Sequence, residues 1–156
     1  MPRSPHRSAL IFAGLATLSA SGCSGGRSAD DNLPIAGMVT LEGKPAGLTL
    51  INFWPAREEE QAGVGRTTSD HSGKFALGMR GNENQKGVGL APGEYKVTLS
   101  RTVDGSGRPV IEGGKPSEPV TATETFPAIY TKKASTPLMI KVSPESTEFR
   151  FDVKKS

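Results

Sequence analysis

The chain has 156 residues, enough for one domain with a real core and too few for two comfortable ones. It carries 19 basic and 16 acidic side chains and no basic stripe interleaved with aromatics, which argues against nucleic acid as a partner. A single cysteine excludes any intrachain disulfide, so stability must come from packing.

Residues 1–22 read as a secretory signal peptide. Arg3, His6 and Arg7 form a basic start, residues 9–20 are small or apolar, and Ser21-Gly22 leads directly into Cys23. The apolar run falls short of the ~20 residues a bilayer core requires, so it is a signal and not a span. Arg3 and Arg7 leave with it, and the remaining chain is near neutral despite a sequence pI of 9.1. The layout around Cys23 resembles a bacterial lipobox, with Ala20 where leucine is usual. That resemblance implies cleavage before Cys23 and a diacylglycerol on its thiol. The blander readings are an ordinary cut near Ala20 or an accidental free thiol, which would be a chemical liability in an exported protein. Lipidation would hold the protein on a membrane through buried CH₂ groups. Ser24, standing where an inner-membrane lipoprotein carries aspartate, favours the outer membrane. Residues 23–33 are then the lipidated cysteine and a short polar, flexible tether.

The domain is expected over residues 34–153. Residues 35–41 form a first strand, with Ile35, Gly37, Val39 and Leu41 on one face, and a Gly/Pro-rich turn follows at 42–47. Residues 48–54 form a second strand, apolar on both faces and therefore expected to be central and covered on both sides. Residues 64–70 read as a polar edge strand. Asp70-His71-Ser72-Gly73 reads as a turn in which the aspartate caps its own backbone, and residues 74–79 follow as a strand with Phe75 and Leu77 inward. Pro92-Gly93 is expected to form a type II turn feeding a half-buried strand. On that strand Tyr95, Val97 and Leu99 alternate with Glu94, Lys96 and Thr98. Tyr95 is expected to bury its ring and bond its hydroxyl to nearby backbone. Residues 103–119 read as a long hairpin or loop, 121–125 as extended, and 126–130 as an anchoring turn with Phe126, Ile129 and Tyr130 over one end of the core. A helical turn fits there. Residues 138–142 and 147–153 alternate strictly and read as a final strand pair turning at 144–146. No segment shows a helical apolar period. The fold class is all-β.

Gly37-Met-Val-Thr-Leu-Glu-Gly-Lys-Pro, Thr68-Ser-Asp-His-Ser-Gly-Lys-Phe and Leu90-Ala-Pro-Gly-Glu-Tyr-Lys-Val, in that order, resemble the carboxypeptidase regulatory-like, or transthyretin-like, β-sandwich. With the lipobox, the chain resembles small bacterial lipoproteins carrying that domain. The resemblance covers roughly residues 34–153 and implies a Greek-key-like sandwich of about seven strands without catalytic residues.

Nucleophilic catalysis needs a base beside a serine or cysteine, and His71 with Ser69 or Ser72 is the one available pairing. A turn histidine is ordinarily exposed and idle. One histidine cannot supply a zinc site, and Asp70 with Ser72 is too poor in carboxylates for calcium, so no metal and no cofactor are expected. Glu58, Glu59 and Glu60 read as a solvated acidic run and not as paired catalytic acids. An internal isopeptide bond would need a lysine in the first strand, and residues 35–41 have none. Trp54, with Phe53, Tyr95 and Tyr130, is the candidate sugar platform, although alternation sends most of these rings inward. The residues singled out are therefore Cys23 for lipidation and Pro92, Gly93 and Tyr95 for the turn. The expected protein is a non-enzymatic envelope module that binds polysaccharide or protein through loops 57–64, 80–89 and 103–119. The alternative is an assembly subunit that packs through its edge strands.

Overall fold

The computed structural model describes residues 32–57, 63–78, 89–110 and 121–155. The expected signal peptide, Cys23 and nearly all of the expected tether lie outside the described residues. So do Glu58, Glu59, Glu60 and much of the three loops expected to bind.

The described residues form ten strands and one turn of helix, and the protein is all-β. In chain order the strands are β1 (Ile35–Leu41), β2 (Lys44–Pro45), β3 (Leu50–Pro55), β4 (Gly65–Thr68), β5 (Lys74–Leu77) and β6 (Gly93–Ser100). Then come β7 (Thr102–Val103), β8 (Thr123–Glu124), helix α1 (Ala128–Thr131), β9 (Met139–Val142) and β10 (Glu148–Val153). One sheet centres on β1, with β10 parallel on one side and β2 and β5 antiparallel along the other. The second sheet is antiparallel throughout, in the order β4-β3-β6-β9. A two-stranded arm, β7 with β8, extends from the end of β6.

The inner faces follow from the period of two. Ile35, Val39, Phe75, Leu77, Phe151 and Val153 from the first sheet share one core with Ile51, Phe53, Tyr95, Val97, Leu99, Ile140 and Val142 from the second. Each such side chain contributes about 1.5–3 kcal/mol by leaving water. Aromatic rings join the layers. Phe53 lies 6.1 Å from Phe75 at a tilt of 45°, and Phe75 stacks on Phe151 at 5.8 Å and 13°. Phe75 and Phe151 come from opposite sides of β1, and the strand between them is passable only at Gly37. A Cβ there would stand 2.7 Å from the Phe75 ring and 1.9 Å from the Phe149 carbonyl oxygen.

Several expectations are corrected. Residues 138–142 and 147–153 do not pair as a hairpin: β9 joins β6 in one sheet and β10 joins β1 in the other. Alternation sets which face of each strand is buried, but both sheets bury the same core, so it leaves the partner open. The second strand is central, but it begins at Leu50 because Leu48 holds a positive φ of 59°. Ile51, Phe53 and Pro55 are buried on one face, while Leu50, Asn52 and Trp54 lie half-buried on the outer one. Ile129 does not cover the core and is 47% exposed, whereas Phe126 and Tyr130 do pack there. Gly93 has a φ of 156° and opens β6 as extended chain, far from the roughly +80° of a type II corner. Beside it, the Tyr95 ring is fully buried and its hydroxyl donates to the Ala91 carbonyl at 2.9 Å.

A glycine inside a strand is ordinarily a weakness that a side chain would relieve. Here the sign reverses: Gly37→Ala is expected to lower stability by about 1–3 kcal/mol, as overpacking does. Urea denaturation measures it, and an unchanged or raised midpoint contradicts the packing described.

Candidate functional site

The residues weighed from sequence as chemical machinery are not brought together. His71 is exposed in the turn between β4 and β5. The Ser69 hydroxyl is buried and donates to the Ala46 carbonyl, and the Ser72 hydroxyl donates to Asp70 Oδ1, so both protons are committed away from the imidazole. Among the described residues no three His, Cys, Asp or Glu side chains are gathered where they could hold a metal ion.

Asp70 Oδ1 accepts from the Ser72 amide and hydroxyl and from the Lys74 amide, at 2.7–2.9 Å. Gly73 supplies the left-handed corner, with a φ of 79°. The same arrangement recurs in Asp104-Gly105-Ser106-Gly107-Arg108, where Asp104 Oδ1 accepts from the Ser106 amide and hydroxyl and the Arg108 amide. Two short D-x-S-G-[K/R] stretches thus build two like turns, a repeat visible in the sequence once the spacing is sought. The Ser72 hydroxyl, followed by backbone amides, holds the Asp70 carboxyl below its ordinary range. The Ser106 hydroxyl and the Arg108 amide hold Asp104 down at about 2. Thr40 first, then Arg150, lowers Asp152 on the outer face of the β1 sheet.

The outer face of the β4-β3-β6-β9 sheet is more organised. Register places Arg66 opposite Asn52, and Asn52 opposite Thr98. Arg66 Nε donates to Asn52 Oδ1 at 3.0 Å, and Trp54 Nε1 donates to the Thr98 hydroxyl at 3.0 Å. Lys133 Nζ stands 6.0 Å from the centre of the Trp54 ring, so this ring, half-buried, is a partner for a lysine before it is a platform for a sugar. Phe53 and Tyr95 face the core, away from any such platform.

Where this face meets the β7–β8 arm, a cavity of about 450 Å³ opens. Leu48, Leu50 and Val110 give it apolar walls, and Arg66, Thr68, Ser100, Arg101 and Thr102 give it polar ones. Arg101 Nε is held by the Gly47 carbonyl at 2.8 Å. Behind it the Glu124 carboxylate accepts from the Ser100 hydroxyl and the Arg101 and Phe126 amides, pinning the arm to the end of β6. Sequence reasoning missed this cavity because its members sit far apart in the chain and no spacing links them.

No family model matches the chain, and no curated protein matches it. A similar solved structure is that of a 9R-lipoxygenase from Cyanothece PCC8801, 15% identical with a TM-score of 0.32. The likeness covers 82% of this chain, which spans only 16% of that one.

The lowered carboxyls imply a direction for acid. A group whose folded pKa lies below its ordinary 3.8 stabilises the fold above that pH and loses the contribution as pH falls towards the folded value. Asp104 is therefore expected to titrate near 2 by carboxyl-carbon NMR, and Ser106→Ala to raise that midpoint. A midpoint near 3.8 in the unaltered protein contradicts the geometry.

Proposed function

We propose that the protein is a lipid-anchored, exported, non-enzymatic module of the cell envelope, built on a transthyretin-like Greek-key β-sandwich that presents a binding surface. The observation that carries this reading is the order of features along the chain. A basic start and a short apolar run end at the only cysteine, a small polar tether follows, and β structure begins directly after it. Leu33, beside the first strand, already pairs with Leu90 and packs on the core. A fully extended tether from Cys23 to Leu33 reaches at most about 35 Å, which keeps the domain close to the lipid surface. No helix among the described residues is long and apolar enough to cross a membrane.

The surface best suited to presentation is the outer face of the β4-β3-β6-β9 sheet, with envelope polysaccharide as the favoured ligand. A second reading, assembly with envelope proteins through edge strands, is favoured by Met139, 56% exposed on the edge strand β9.

Labelled palmitate tests the anchor. The wild-type protein is expected to take up label and fractionate with membranes, and Cys23→Ser to do neither. A wild type that stays unlabelled and soluble contradicts the proposal.

A further inference from the structure

The cavity beside the β7–β8 arm has a donor and acceptor pattern that specifies more than a basic patch. Arg66 and Arg101 both line the cavity, and each donates Nε to an acceptor of the protein itself, Asn52 Oδ1 and the Gly47 carbonyl. This restrains the guanidinium groups, while among the described residues their terminal nitrogens make no hydrogen bond. Among the described residues no carboxylate forms an ion pair with either. The neighbouring Glu124 carboxylate is already taken up by three donors. Two of the three lining hydroxyls have the opposite polarity. Ser100 Oγ donates to Glu124 and Thr102 Oγ1 donates to the Val110 carbonyl, so towards a ligand both can only accept.

A ligand must therefore bring anionic oxygens for two guanidinium forks and hydroxyl donors for Ser100 and Thr102. A fully ionised oxyanion supplies only the first. A sugar carrying a carboxylate supplies both, and its C–H faces suit the apolar walls. The volume, about 450 Å³, lies in the range of small-ligand sites. Beyond the cavity the same sheet face carries Lys96 on β6, opposite Trp54.

We propose that this cavity binds an acidic saccharide, its carboxylate held between Arg66 and Arg101 and its hydroxyls donating to Ser100 and Thr102. The proposal rests on the polysaccharide-binding reading but not on the lipid anchor, so it stands or falls independently of palmitate labelling.

The test is calorimetric titration of the full chain, purified in detergent, with trigalacturonate, maltotriose and inorganic phosphate. Trigalacturonate is expected to bind more weakly as salt rises. Arg66→Gln is expected to weaken it about tenfold, the loss of one charge-assisted hydrogen bond. Arg101→Lys, which keeps the charge but removes the fork, is expected to do the same. Arg66 is exposed, so its variant should keep the wild-type melting temperature even if the Arg101 variant is destabilised. Maltotriose binding as tightly overturns the acidic assignment while leaving a neutral glycan reading in place. Phosphate binding as tightly overturns the saccharide assignment. Absence of trigalacturonate binding, or binding indifferent to Arg66→Gln, overturns the site.

Discussion

The inner face of the β1 sheet is bridged by an aromatic contact that the missing side chain of Gly37 admits, and one of its rings goes on to meet the facing sheet. Phe75 reaches across β1 at Gly37 to stack on Phe151, and its other flank meets Phe53 in the opposite sheet. Three rings, from β5, β10 and β3, thus join both flanks of β1 to the facing layer. Aromatic pairs of this kind contribute roughly 0.5–1.5 kcal/mol beyond the area they bury. The contact also bears on topology. It spans the parallel pairing of the last strand with the first, which no short turn can make and which needs most of the chain to be laid down between them.

With the inner face settled, the outer face has no freedom left. Because Ile51 and Phe53 point inward, Leu50, Asn52 and Trp54 must point out, and register then sets Leu50 opposite Ser100, Asn52 between Arg66 and Thr98, and Trp54 opposite Lys96. Core packing and the surface proposed to bind are thus two consequences of the same pleat. A shift of β3 by one residue would exchange them, burying Asn52 and exposing Phe53. The β7–β8 arm completes the cavity, and the Glu124 carboxylate, together with the Thr125 bonds to the Arg101 carbonyl, ties the start of the arm to its return.

Local chemistry was legible in the sequence wherever neighbours in the chain are neighbours in space. The Asp70 turn, the alternation of Phe75 with Leu77, the edge position of β4 and the short helical turn after Phe126 all follow from a few adjacent residues. What could not be read depends on distant pairing. Period-two burial of β9 and β10 reads the same whether they face each other in one sheet or sit in two. β3 is apolar enough on both faces that pattern alone does not choose which turns inward. Arg66, Arg101 and Val110 meet only after β4, β6 and the arm are assembled. Gly37 read as one more small residue on an apolar face, although its smallness is what the neighbouring ring requires.

Proton NMR tests the arrangement most directly. NOE cross-peaks are expected from the Phe75 ring to the Gly37 α protons and to the rings of Phe53 and Phe151. Close Hα–Hα contacts between β9 and β10, as an antiparallel hairpin gives, together with a Phe151 ring that does not see Phe75, would contradict it.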